Sequence, residues 1–130
     1  MDSYSHLARL MKALGHPVRL QILQVLREGE ACVCHLEAVL GQRQAYISQQ
    51  LMRLRDAGLV TDRREGMNVF YSLADESISA LLDSALAAAS AIRGENLSLA
   101  PPSAGNPVTC SCPKCRPVSV FQTQEGAPTR

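Results

Sequence analysis

The chain has 130 residues, 46% hydrophobic but only 4% aromatic, with no Trp and a formal charge of +1. This is enough for one modest, aliphatic and mostly helical core, and the near-neutral balance excludes a polycation. No run approaches the ~18 apolar residues of a membrane span, and the first residues lack the basic-then-apolar pattern of a leader, so a cytosolic protein is expected.

Leu7, Leu10, Met11 and Leu14 fall at i, i+3, i+4 and i+7 and predict a first helix over His6 to Leu14. Gly15 ends it. Pro17 opens a second helix with Val18, Ile22, Val25 and Leu26 inward and Gly29 as its stop. A short third helix, about Val33 to Leu40, meets a fourth, about Gln44 to Ala57, through the turn Gly41-Gln42-Arg43, which reads as a helix-turn-helix. After Gly58 the period changes to two. Leu59 to Arg63 and Val69 to Leu73 flank Glu65-Gly66-Met67-Asn68 as a hairpin, placed as a wing would be. A last helix spans Asp75 to Arg93, with a wide stripe of Ile78, Leu81, Leu82, Ala85, Leu86, Ala89 and Ile92 that marks an interface. The fold class is therefore mainly α with a small β-hairpin wing, a winged helix-turn-helix in residues 1–93. Residues 94–130 hold six of the seven prolines and lose all periodicity, so they read as a flexible tail.

Charge is distributed unevenly. Between positions 43 and 64, Arg43, Arg53, Arg55, Arg63 and Arg64 face only Asp56 and Asp62, a local basic face suited to a phosphate backbone. Gln42, Arg43 and Gln44 at the start of the fourth helix, with Tyr46, Ser48, Gln49 and Arg53 along it, are candidates for contact with double-stranded DNA in the major groove. Gln pairs bidentately with adenine, and Arg with guanine or phosphate. Arg63 and Arg64 flank the hairpin and would reach phosphate or the minor groove. Read blandly, these side chains form a solvated helix face and sheet-edge charges.

The five cysteines form two groups, Cys32-Val33-Cys34 and Cys110-Ser111-Cys112-Pro113-Lys114-Cys115. In a reducing compartment an odd count in CxC and CxCxxC spacing favours metal ligation over structural disulfides. Two residues apart on a regular helix point about 200° away from each other. Cys32 and Cys34 therefore share an ion only if Cys32 lies in the non-helical turn before the helix. There the helix dipole also favours the thiolate. As(III) or Sb(III) takes three sulfurs, whereas Cd(II), Pb(II) or Zn(II) takes three or four, so Cys110, Cys112 and Cys115 are the natural source of further donors. The bland alternatives are small buried hydrophobes for the first pair and a purely structural zinc site in the tail.

Ala13-Leu14-Gly15-His16-Pro17-Val18-Arg19-Leu20-Gln21-Ile22-Leu23 resembles the opening motif of the ArsR/SmtB family of metal-sensing winged-helix repressors. Glu30-Ala31-Cys32-Val33-Cys34-His35-Leu36 resembles that family's helix-3 metal box. Ile47 to Leu51 with Leu54 to Val60 resembles its recognition helix, and Arg63 to Tyr71 its wing. The resemblance covers about residues 5 to 93. It implies a homodimer packed through the first and last helices that binds operator DNA and leaves it when a soft metal or metalloid ion binds its cysteines. There are departures. His35 stands in place of the usual Asp, Glu37 occupies the position where arsenic sensors often carry a third cysteine, no cysteine precedes Cys32, and the last helix lacks the paired Asp/His of the family's zinc site. A redox- or persulfide-sensing repressor using the same cysteines is the alternative. An enzyme is not expected, since CxC here lacks the βαβ context of a thiol oxidoreductase.

Overall fold

The computed structural model describes residues 2–100. Cys110, Cys112 and Cys115, and nearly all of the expected tail, lie outside the described residues.

Helix α1, Ser3–Leu14, starts earlier than its apolar stripe because Asp2 caps it. The Ser5 amide donates to Asp2 Oδ1 at 2.8 Å, and this bond holds the carboxyl below its usual pKa range. Helix α2, Pro17–Leu26, is capped by His16, whose Nδ1 accepts from the Val18 amide at 3.1 Å, with Pro17 in the first turn. Helices α3, Val33–Leu40, and α4, Gln44–Asp56, flank the expected turn. Gly41 ends α3 at φ 66°, in the left-handed region where a side chain would be strained. Strands β2, Val60–Glu65, and β3, Asn68–Leu73, pair antiparallel from Val60↔Leu73 to Glu65↔Asn68, and helix α5, Ser77–Arg93, follows.

One element was not expected. Ala31–Cys32 forms a two-residue strand, β1, that pairs with β3 through Ala31↔Tyr71 and Cys32↔Phe70 and gives the sheet order β1-β3-β2. The stretch before α3 is thus extended and tied to the wing.

Ile22 and Leu23 of α2, Leu36 of α3, and Ile47, Leu51 and Leu54 of α4 are fully buried with Leu59 and Val60. Leu23 replaces Val18 and Val25 at the centre of the α2 face; those two valines are only half-buried. In β2, by contrast, only Val60 is buried, while every residue of β3 is buried or half-buried, so it is the outer strand and the tip, where Met67 is 96% exposed, that face solvent.

The stripes of α1 and α5 are largely uncovered. Leu14 is the only buried residue of α1, and Ile78 and Leu82 the only ones of α5. Tyr4 is 86% exposed and Ile92 84%, with Leu7 and Met11 about half exposed. An Arg27–Asp83 pair at 3.0 Å links α2 to α5, an exposed contact worth little by itself. Beyond α5, Gly94 turns the chain in the left-handed region. The Leu97 amide then donates to Ser90 Oγ at 3.1 Å, and Gln24 Nε2 donates to the Leu99 carbonyl at 3.4 Å. The chain after residue 94 therefore starts back across α2. Among the described residues, no helix is long and apolar enough to cross a membrane.

Candidate nucleic-acid interface and cysteine pair

Helix α4 turns Ile47, Leu51 and Leu54 inward and leaves Arg43, Gln44, Gln49 and Arg53 exposed. Gln42 and Ser48 are half-buried beside them. These polar side chains share the exposed face with Ala45 and Met52, which is 57% exposed, and the helix is fixed by its apolar face, as a groove-reading helix requires. Tyr46 differs from its neighbours. It is half-buried, and its hydroxyl lies 3.5 Å from His16 Nε2. Because His16 Nδ1 accepts a bond from the Val18 amide, the neutral ring carries its proton on Nε2 and donates to Tyr46. Tyr46 thus joins α4 to the cap of α2.

In the wing, Arg63 and Arg64 have different surroundings. Arg64 is exposed and has no carboxylate partner among the described residues. Arg63 is clasped: Nη2 and Nε reach the two Glu30 oxygens at 2.6 and 2.9 Å, and Nη1 reaches Glu65 at 2.7 Å. These carboxylates, Glu30 foremost, raise an already high guanidinium pKa further. The same guanidinium lies over the Phe70 ring, 4.7 Å from its centroid. A phosphate reaching Arg63 has to displace a carboxylate, whereas at Arg64 it does not.

The cysteine pair sits on the other side of Phe70. Cys32 is the N-cap of α3, with extended backbone (φ −89°, ψ 168°), and its sulfur accepts from the His35 amide at 3.4 Å. That conformation brings Cys32 Sγ to 3.0 Å from Cys34 Sγ, which a helical Cys32 would not allow. Cys32 is buried, and both cysteines pack against Phe70. Across the sheet, Cys32, Phe70 and Arg63 form one row, since Phe70 is the partner of Cys32 in β1 and of Arg63 in β2. Cys32 carries a thiol, whereas Cys34 is disulfide-bonded, against the expectation of ligation over disulfides. Two sulfurs this close at a helix N-terminus fit a soft ion once that bond is reduced. Among the described residues no third His, Cys, Asp or Glu completes a metal cluster, so reduction of Cys34 would give this part of the chain two thiolate donors.

Periodicity alone missed three residues. Gln50 is 5% exposed, the one buried polar side chain among the described residues, and its Oε1 accepts from Arg19 Nη1 at 2.8 Å. Arg19 also donates to the α1 carbonyls of Ala13, at 2.6 Å, and Lys12, at 3.3 Å. Arg9 Nη2 donates to the Asp56 carbonyl, at the end of α4, at 3.1 Å. The spacing Ile47, Gln50, Leu51, Leu54 already places Gln50 on the inward face, which was the available signal.

A helix pair joined by a glycine turn, an exposed polar row on the second helix and a basic hairpin after it define a winged helix-turn-helix DNA-binding domain. Residues 16–62 match the bacterial regulatory protein family arsR. A biofilm growth-associated repressor of Agrobacterium fabrum is 44% identical over 79 residues, covering 61% of this chain and 68% of that protein. A transcriptional repressor SmtB homolog of Synechocystis is 40% identical over 78 residues, 60% of this chain and 59% of that one. In three dimensions the fold is similar to the homodimeric winged helix-turn-helix DNA-binding domain Mb0332 of Mycobacterium bovis, described as a possible ArsR-family regulator. The TM-score is 0.64 at 31% identity, over 74% of this chain and 90% of that one. The chain belongs to the ArsR/SmtB family of transcriptional regulators.

Proposed function

We propose that the chain is a homodimeric repressor that leaves its operator when a soft thiophilic ion, Cd(II), Pb(II) or Zn(II), or As(III) or Sb(III), is held by Cys32 and Cys34 with at least one of Cys110, Cys112 and Cys115. The observation that carries this reading is the 3.0 Å approach of the Cys32 and Cys34 sulfurs in a segment that both begins α3 and pairs with the wing. When bound, the ion supplies a cross-link between thiolates. The protein's part is to place that cross-link where it pulls on the support of the reading helix and on β3 together. The tail has the reach to join in: Leu99 is already tied to α2, and ten residues beyond Ala100 span up to ~36 Å. The uncovered apolar faces of α1 and α5 support a dimer, and two reading helices ~34 Å apart call for an inverted repeat.

The deciding experiment titrates the reduced chain, bound to a duplex it has selected from a random library, against a panel of these ions. Release with a 5- to 150-fold loss of affinity is expected, the usual range of allosteric coupling. Truncation after Pro107 should prevent release or raise the ion concentration it needs. Release at an unchanged concentration would remove the tail from the site. A redox or persulfide sensor is the second reading, favoured by the disulfide at Cys34 beside the Cys32 thiol. Release by diamide without any ion would select it.

Base reading is tested at Gln49 and Arg64. Gln49→Ala should weaken binding to the selected duplex by about 1–3 kcal/mol with little change on random duplex. Arg64→Ala should weaken both alike and flatten the salt dependence by about one counterion. Equal losses on both duplexes for Gln49→Ala would remove base readout from that residue.

A further inference from the structure

A helix that reads bases needs its rotation held within roughly 10–20° and its position within ~0.5 Å, or its side chains miss the base edges. The apolar face of α4, Ile47, Leu51 and Leu54, supplies adhesion, but hydrophobic contact is non-directional and resists rotation weakly. Directional restraint comes from hydrogen bonds, and α4 has one buried side chain able to provide it, Gln50. Gln50 is adjacent to Gln49 and about 100° from it around the helix. Holding Gln50 inward therefore sets the direction in which Gln49 points.

Gln50 is held by Arg19, a residue of α2 whose fork also takes the carbonyls of Lys12 and Ala13 at the C-terminal end of α1. The positive fork suits that end of the helix dipole, and charge-assisted bonds are about twice as strong as neutral ones. The far end of α4 is tied to the same helix, α1, by Arg9 on the Asp56 carbonyl. Both attachments refer the reading helix to α1, whose Tyr4, Leu7 and Met11 are exposed.

We propose that Arg19 and Gln50 are positioning residues for DNA reading: a junction of α1, α2 and α4 that fixes the rotation of the reading helix, and hence the aim of Gln49, relative to α1. This rests on the DNA-reading function proposed above. Neither residue needs to touch DNA.

The test uses the full chain and a duplex selected from a random library by the wild type. Affinity for that duplex and for a random one is measured alongside thermal unfolding and sedimentation. Gln50→Leu is expected to lower the ratio of selected to random affinity by about 10-fold or more, while random-duplex affinity and assembly state stay as in wild type. Gln50→Glu, which keeps an acceptor for Arg19, should hold the ratio within about 2-fold of wild type. If Gln50→Leu is too unstable to assay, Arg19→Met with Gln50→Leu removes both polar partners together, which a buried site tolerates far better, and should show the same fall in ratio. An unchanged ratio in a folded Gln50→Leu or double variant overturns the proposal. So do equal losses on both duplexes, or a Gln50→Glu as poor as Gln50→Leu. A wild type that selects no duplex overturns instead the DNA reading on which the proposal stands.

Discussion

Serine at position 32 or 34 should yield a permanent repressor. Each of Cys32→Ser and Cys34→Ser is expected to bind the operator as the wild type does and to remain bound when thiophilic ions are added. Either substitution leaves one core sulfur, and a hydroxyl is a poor ligand for a soft ion. DNA binding should survive because neither side chain lies on the exposed row of α4 or at the wing tip. Serine also keeps the cap at position 32, where an oxygen accepts the His35 amide at least as well as sulfur does. The expected loss is the whole 5- to 150-fold response. Linkage adds a second readout: in the wild type, operator DNA must weaken ion binding by the same factor. Filter binding or anisotropy with and without ion checks the first statement, and competition with a chromophoric chelator checks the second. A Cys34→Ser variant that still releases DNA at the wild-type ion concentration would exclude the shared site.

Phe70→Ala should have the largest effect on stability. Phe70 is fully buried at the centre of the three-stranded sheet, with Cys32 and Cys34 on one side and the Arg63 guanidinium over its ring. Truncating such a ring costs about 3–5 kcal/mol, a large part of the 5–15 kcal/mol that holds an ordinary domain together. Urea unfolding of the reduced chain should show the midpoint falling accordingly. Met67→Ala, at a hairpin tip that is 96% exposed, should stay within about 0.5 kcal/mol of wild type. A Phe70→Ala loss below ~1 kcal/mol would mean that the sheet does not depend on this ring.

The helix-turn-helix and the wing were legible because each carries a local signal. Helical spacing ends at Gly41 and Gly58, and a period of two brackets Gly66. What escaped is tertiary. The two-residue strand Ala31–Cys32 has no period of its own and exists through its pairing with Tyr71 and Phe70. The requirement that Cys32 leave the helix could be stated from spacing alone, but that the same residue joins the wing could not. Arg63 and Arg64 are equivalent in sequence, and only the fold brings Glu30, 33 positions away, onto the first of them. Tyr46 likewise reads as an exposed helix residue until His16 is placed beside it. The stripes of α1 and α5 are apolar in sequence, yet one chain leaves most of each in water. Arg19 lies in the segment Ala13 to Leu23, and nothing in that segment's sequence discloses its hold on Gln50.

A hairpin whose outer strand lies in solvent presents an open strand edge, and an open edge invites the strands of other molecules. Here the inner margin of β3 is partly closed by Ala31–Cys32. The outer margin belongs to β2, where Asp62, Arg63, Arg64 and Glu65 follow one another without a break. Addition of a foreign strand along that margin would bring its backbone against four adjacent charges. The wing can therefore extend towards a nucleic acid at cellular concentrations without nucleating edge-to-edge aggregation.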